Sequence, residues 1–459
     1  MTSSQLLVGI LIFGPLGLVL LGLTYRWPLF GLSALAVGVP LTTGMGRGTL
    51  IPFLRPNEVL LLLVVMALLL RYFWRPVRRP VTTLDIAVYG FCLLGALIPF
   101  VVLFLSRTPI TFDTARLVMS PLQFLAIYMA VSWTPLDKRA TRWLINVTMA
   151  ASVVVAGVAA AQALKLPLIS TFMATYFTSP PQPFWDTTIP RPSSTLGLYS
   201  SVGAFGLLNF AFAIALLTVR QPGFSPMWLV VVMSSNVIGI LASQTWAPAI
   251  GLVPVTIVVL LYARRIPSQL LIGLVAGTLA LLLFGSLVSA RFSQQQVAVG
   301  SNLKIPKTML YRMTLWQDFF VPAIGEGLWF GTGTLIPSTV PERLNQAVDN
   351  QYIRQAYRAG IAGLVLLLVM LVTIGVAGWG ARHHPDVLLR SLGACSLAYA
   401  AALLVLGWTE EYLQYGGVGQ QVALVIGLFA GCLARDRLKP VSLRSETRLP
   451  AGLPHGIPA

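Results

Sequence analysis

Arginines are the residues whose placement in this chain asks for a chemical explanation. Between positions 290 and 358 the sequence carries Arg291, Lys304, Lys307, Arg312, Arg343, Arg354 and Arg358 against Asp318, Glu326, Glu342 and Asp349, although only 10% of the 459 residues are charged. A guanidinium stays protonated where water is scarce and grips phosphate oxygens through paired N–H···O bonds. The surplus therefore has two explanations: a phosphate-bearing ligand, or attraction to anionic lipid headgroups together with plain solvation. Arg354 and Arg358 stand at i and i+4, on one face of a helix, and snorkelling from a helix end is the competing account of both. Asp349 lies just before the same helix and suits an N-cap.

Other chemistry-bearing residues are fewer. His383 and His384 fall in an expected turn and His455 in the C-terminal tail, where solvation explains them. No Asp-x-Asp pair accompanies the arginines, and no His/Cys cluster has metal-ligand spacing, so no metal and no cofactor is expected. Cys92, Cys395 and Cys432 sit inside apolar runs and read as small buried hydrophobes. The glycines of GEGLWFGTG at 325–333 fit neither a P-loop nor a dinucleotide fingerprint. A sharp backbone turn is the expected role. Glu410 and Glu411 end a helix and either terminate it or line a pocket.

The elements that must position these residues are membrane helices. Hydrophobic residues make up 56% of the chain, and a span needs about 20 mostly apolar residues to cross about 30 Å of hydrocarbon. Such runs lie near 5–24, 57–73, 84–106, 116–134, 143–164, 198–219, 226–242, 247–263, 269–289, 356–379, 387–408 and 417–434, with a shorter one near 28–45. They are apolar on every face, unlike the alternating strands of a β-barrel. The expected fold is all-α: a polytopic membrane domain over 1–435 with 12–13 transmembrane helices, and a disordered cytoplasmic tail over 436–459. Segment 28–45 is either a span or re-entrant.

The net charge of +17 does not call for nucleic acid, because most of it sits in short interhelical loops. Arg71/Arg75/Arg78/Arg79, Lys138/Arg139/Arg142, Arg264/Arg265 and Arg435/Arg437/Lys439 fall on one side when the intervening helices are counted, and short basic loops are cytoplasmic. Two long segments are then extracytoplasmic: 165–197, and a larger one, 290–352, between late helices. Within the latter, Leu310, Met313, Trp316, Phe320 and Val321 recur near helical spacing, which predicts an amphipathic helix at the membrane surface.

The stretch YRMTLWQDFFVPAIGEGLWFGTG followed by VDNQYIRQAYRAGIAGLVLLLVM resembles the signature region of the O-antigen ligase and O-antigen polymerase superfamily. The matching residues are Arg312 and Trp316, Pro322, Gly331 and Gly333, then Asp349, Asn350 and Tyr352, with Gly360 and Gly363. RPSSTLGLYSSVGAFGLLNF looks like the family's arginine-containing loop and supplies Arg191. SQTWAPAIGLV is similar to a Ser-Arg-Gly turn between two spans but lacks its arginine. The resemblance covers about 190–380.

It implies a metal-independent membrane glycosyltransferase of polysaccharide biosynthesis in the bacterial cell envelope. The donor would be a glycan on a polyprenyl (undecaprenyl-type) diphosphate at the outer face of the cytoplasmic (inner) membrane. The acceptor would be the hydroxyl of a glycan (polymerase), of a lipid (ligase) or of a protein (O-oligosaccharyltransferase). On this resemblance Arg191, Arg312 and Asp349 form the catalytic set, with the two arginines as diphosphate ligands, and Arg354, Arg358, Tyr352, Asn350 and Trp316 bind substrate. Asp349 stands where ligase-type members carry histidine, and it either accepts a proton or orients the nucleophile. Membrane lipids are the other expected partners, and nucleic acid is not one. The rival functions are a polysaccharide flippase or secondary transporter and a structural envelope protein. Against ion coupling, the spans carry Asn146, Gln162, Asn209, Asn236, Gln420 and Gln421 rather than charges.

Overall fold

The computed structural model describes residues 3–47, 51, 54–177, 191–269, 296–299, 303–334, 336–341 and 348–438, with scattered positions between 275 and 293. Its first part comprises α1 (Ser3–Arg26), α2 (Pro28–Thr42), α3 (Pro56–Trp74), α4 (Thr83–Leu105), α5 (Phe112–Val118), α6 (Ser120–Ser132), α7 (Lys138–Ala163) and α8 (Pro167–Tyr176). Then come α9 (Tyr199–Val219), α10 (Pro226–Ala242), α11 (Trp246–Ala263) and an antiparallel hairpin of β1 (Gln296–Val299) and β2 (Leu303–Pro306). The last part holds α12 (Lys307–Leu315), a π turn (Trp316–Phe320), α13 (Val321–Glu326), α14 (Gln351–Gly380), α15 (Val387–Leu406) and α16 (Val418–Arg437).

Among the described residues, eight helices are long and apolar enough to cross a membrane: α3, α4, α7, α9, α11, α14, α15 and α16. The shorter apolar helices α2, α6 and α10 pack with them, and α1 is helical over 24 residues. This is a multi-pass helical membrane architecture. The run 269–289 lies largely outside the described residues, as does 439–459 of the tail; at 436–438 the chain is still completing α16.

Helix α9 is the centre of the bundle, buried along its whole apolar length. Small residues allow this, since lipid tails solvate apolar side chains well and association depends on close backbone approach. A Cβ at Gly206 would stand 3.1 Å from the Asn236 carbonyl, and one at Gly203 would stand 2.9 Å from Pro248. The amides singled out in the spans bond to neighbours: Gln421 Nε2 donates to Asn209 Oδ1 at 3.2 Å, and Asn236 Nδ2 to Ser152 Oγ at 3.0 Å. They join helices.

Two ends of the bundle are chemically distinct. At one, Arg71 donates to the Tyr25 carbonyl at 2.6 Å and Arg79 grips Asp85 at 2.8 and 2.9 Å. Lys138 pairs with Asp386 at 2.9 Å and His384 with Asp436 at 3.0 Å at the same end. Asp85 also closes a capping box with Thr82, so this charge locks the start of α4 as well as pairing an arginine. At the other end, Gly44 N–H donates to Thr195 O at 2.8 Å and Gln351 N–H to Gly407 O at 2.8 Å. Helix α2 starts beside Thr24 and ends with its Pro40 carbonyl accepting from Thr195 Oγ1 at 2.8 Å, so it points from the first end toward the second, antiparallel to α3, but its 15 residues are fewer than those of the eight long apolar helices.

Helix α14 is broken at Gly360, whose φ of 67° and ψ of −168° are not helical. The interrupted ladder is repaired by residues 328–333. Thr332 and Gly333 N–H donate to the carbonyls of Tyr357 (2.9 Å) and Arg358 (3.1 Å), while Ile361 and Ala362 N–H donate to those of Leu328 (2.9 Å) and Trp329 (3.2 Å). An unpaired peptide group away from water is costly. This explains Gly331 of GEGLWFGTG and Gly360 facing it: a Cβ at Gly331 or Gly360 would lie 2.4 or 2.2 Å from facing backbone.

The amphipathic stripe differs from the sequence expectation. Leu315 and Phe320 are the buried members, packed with Val348 and Tyr357, whereas Leu310 and Val321 are exposed. The π turn is the cause. Its i→i+5 bonding aligns positions five apart on one face where an α-helix would align three or four.

Candidate functional site

Three segments that are distant in sequence meet at the end of the bundle opposite the arginine-rich loops. Arg312, in the last turn of α12, donates from Nε to Asp349 Oδ2 at 3.1 Å and from Nη2 to Glu410 Oε1 at 3.1 Å. Tyr415 donates its hydroxyl to the other oxygen of Glu410. Glu411 turns the opposite way and pairs with Arg354. The loop between α15 and α16 thus carries two adjacent carboxylates, each facing a different arginine.

The local backbone explains why Asp349 is available. The N-cap of α14 is Asn350, whose Oδ1 accepts from Tyr352 N (2.9 Å) and Ile353 N (3.0 Å). Asp349 is therefore not the cap that its position suggested. It adopts a left-handed φ of 52°, uncommon for a side-chain-bearing residue, and reaches Arg312 from there. Trp316 secures the turn by donating Nε1–H to Val348 O at 2.7 Å. Tyr352 meets Trp408 at a tilt, 5.3 Å between ring centroids, and donates to Leu404 O at 2.7 Å, fixing α14 to the end of α15 and the loop after it.

Arg191 arrives from the loop before α9. It donates from Nη2 to Gln244 O at 3.1 Å and to Thr245 Oγ1 at 2.9 Å, and its guanidinium carbon stands 3.3 Å from the Tyr199 ring centroid. Its charge is felt by both Asp349 and Glu410. The turn Ser243–Thr245 belongs to the segment SQTWAPAIGLV, which lacks an arginine of its own; Arg191 occupies that turn from another loop.

The two central carboxyls are not ordinary acids. Burial pushes Glu410 up to about 8, the adjacent Asp349 charge adds to the rise, and Arg312 opposes it. Burial raises Asp349 too, against Arg312 and a hydrogen bond from Glu410. The two carboxyls are thus raised together and titrate as a pair, each holding its proton more firmly than an ordinary acid. Burial works against the Arg312 cation, but Asp349 and Glu410 outweigh it and hold the guanidinium above its usual range. Asp349 is the more open acid, its side chain 25% exposed against 11% for Glu410.

Not every residue singled out in the sequence faces this cluster. Arg354 and Arg358 do share a helix face, but both point into protein. Arg358 is fully buried and donates to the carbonyls of Gly95 and Val118. Asn350, Tyr352 and Trp316 hold backbone in place, as described. Arg291 and Arg343 lie outside the described residues, as do 178–190 of the segment 165–197. No known protein-family model matches this chain, and no curated protein aligns with it. Its chemistry must be read from the residues.

The participation of Glu410 and Tyr415 was the least visible part in the sequence. The available signal was GWTEEYLQYGG itself: two acids and two tyrosines in a short turn between apolar helices. Among the described residues, no group of His, Cys, Asp and Glu is arranged to hold a metal ion.

Proposed function

We propose that this protein transfers a polyprenyl-diphosphate-linked glycan to an acceptor hydroxyl, as an O-antigen or exopolysaccharide polymerase or ligase, at the outer face of the bacterial cytoplasmic membrane. The observation that carries the reading is the Arg312–Asp349–Glu410 cluster with Arg191 nearby, set at the bundle end opposite the basic loops. By the positive-inside bias those loops are cytoplasmic and the cluster is not.

The chemistry follows from the groups present. The acceptor oxygen forms a bond to the anomeric carbon of the donor sugar as the bond from that carbon to the diphosphate oxygen breaks. Asp349 takes the hydroxyl proton, being the more open acid of the pair. The leaving diphosphate gains negative charge, which Arg312 and Arg191 offset without a metal. Glu410 stays protonated and keeps the local charge positive enough for the donor to bind.

The test is reconstitution with a polyprenyl-diphosphate glycan and an acceptor glycan. Arg312→Ala and Arg191→Ala are each expected to lower transfer by about 100-fold or more, with protein yield retained. Wild-type transfer by both variants would remove the mechanism. One observation favours a second reading: helices broken in mid-course, as α14 is at Gly360, also occur in secondary carriers. A carrier would move labelled lipid-linked glycan across vesicles without forming product.

A further inference from the structure

A second site lies at the opposite end of the molecule. An apolar groove of about 380 Å3 opens between the C-terminal half of α3 and α6, within the range of about 300–1,000 Å3 usual for ligand sites. Its walls are aliphatic, with Leu68, Leu125 and Met129 among them, and its mouth carries Arg71, Arg75 and Trp133. Helix α3 is among the least buried spans of the bundle, so the groove lies on a flank that meets lipid.

We infer that this groove binds one anionic phospholipid from the leaflet at the arginine-rich end, with an acyl chain along α3 and α6 and its phosphate at Arg71 and Arg75. Charge complementarity selects this occupant. The lining is mostly apolar, with Thr134 and Tyr72 as its neutral polar members, and it carries two guanidinium groups together with the rings of Tyr72 and Trp133. Basic pockets between helices suit anionic headgroups, and tryptophan and tyrosine favour the interfacial level. Trp133 is rigidly placed for this, donating Nε1–H to Tyr89 at 2.7 Å and meeting Tyr72 edge-on at 5.4 Å. Arg71 already touches the Tyr25 carbonyl, so a phosphate there would tie α1 and α3 to the same lipid. Arg75 is exposed at the end of α3, open to a headgroup.

The experiment uses the purified full-length protein in detergent, titrated with brominated phosphatidylglycerol or brominated phosphatidylcholine while tryptophan fluorescence is read. Phosphatidylglycerol is expected to quench a saturable component at concentrations at least tenfold lower than phosphatidylcholine, and Trp133→Phe should remove that component. Arg75→Glu leaves the Arg71 contact with α1 in place and should abolish the preference between the two lipids. Met129→Trp should block the saturable component by filling the groove, with the melting temperature checked against wild type. Equal quenching by both lipids, or an unchanged lipid preference in a folded Arg75→Glu protein, would overturn the site.

Discussion

At the scale of single residues, the cluster is a set of charges whose values depend on one another. Glu410 is protonated below about 8, and its ionisation would set a second negative charge against Asp349 and Arg312. Transfer should therefore fall as pH rises through that value. In Glu410→Gln the neutral amide mimics the protonated acid, so activity near neutrality should persist and the alkaline decline should disappear from the pH–rate profile. Asp349→Asn, by contrast, should abolish turnover at every pH while donor binding survives. The same raised acid has a stability consequence of definite sign. The folded state holds a proton that the unfolded chain releases between about 4.5 and about 8, so Glu410 favours folding at the acidic end of that window and loses this contribution as pH rises through it. Melting in detergent across the window should show this loss in wild type and its absence in Glu410→Gln. Arg354 belongs to a different category of residue. Removing one partner of a buried pair strands the other charge, at a cost of about 3–5 kcal/mol. Arg354→Met should therefore destabilise the fold by that order, and adding Glu411→Leu should restore most of the loss.

At the scale of elements, α14 shows how an apparent motif can have a structural cause. Its break at Gly360 and the extended segment 328–333 complete one hydrogen-bonded unit, with backbone of each satisfying the other. Gly360→Ala would place a methyl 2.2 Å from the Trp329 carbonyl at a φ that side chains resist. The expected cost is about 2–4 kcal/mol from strain and overpacking together, measurable as a lower melting temperature. Because Asp349 and Asn350 begin the same helix, the variant should also weaken donor binding. A Cβ at Gly375 would meet its nearest neighbour, Ala400, at an ordinary 3.7 Å, so Gly375→Ala should leave both properties near wild type.

At the scale of the whole molecule, function depends on which end faces out. The three cysteines are buried or partly buried, so thiol labelling of the native protein should be weak. Lys307, exposed at the start of α12, and Arg75, exposed at the end of α3, lie at opposite ends. In intact cells stripped of their outer envelope, Lys307→Cys should react with an impermeant maleimide, and Arg75→Cys only after the membrane is opened. The reverse pattern would put the cluster in the cytoplasm and exclude transfer on the outer face.

Much of the scaffold was legible in composition, because about 20 apolar residues in a row have few fates other than a span. The grouping of Arg71, Lys138, Arg264 and Arg435 on one side followed from counting helices, and helix direction in the fold agrees with it. Arg312 and Asp349 were singled out by the resemblance of the sequence around them to the ligase and polymerase signature region, not by residue type alone. What the one-dimensional pattern left open was which charges meet. Asp349 suited an N-cap by position, yet Asn350 caps α14 and a left-handed φ turns Asp349 to Arg312 instead. Glu410 and Glu411, adjacent in the chain, face separate arginines because the turn between α15 and α16 sends their side chains apart. Arg191 fills a turn 52–54 residues away from it. Those pairings depend on how helices stack, and stacking is set by small residues such as Gly203 and Gly206 and by the register slip of a π turn. Apolar periodicity measures the tendency of a segment to enter a membrane, and that tendency is nearly indifferent to its neighbours. A charged cluster is defined by its neighbours, so it existed only once the helices had packed.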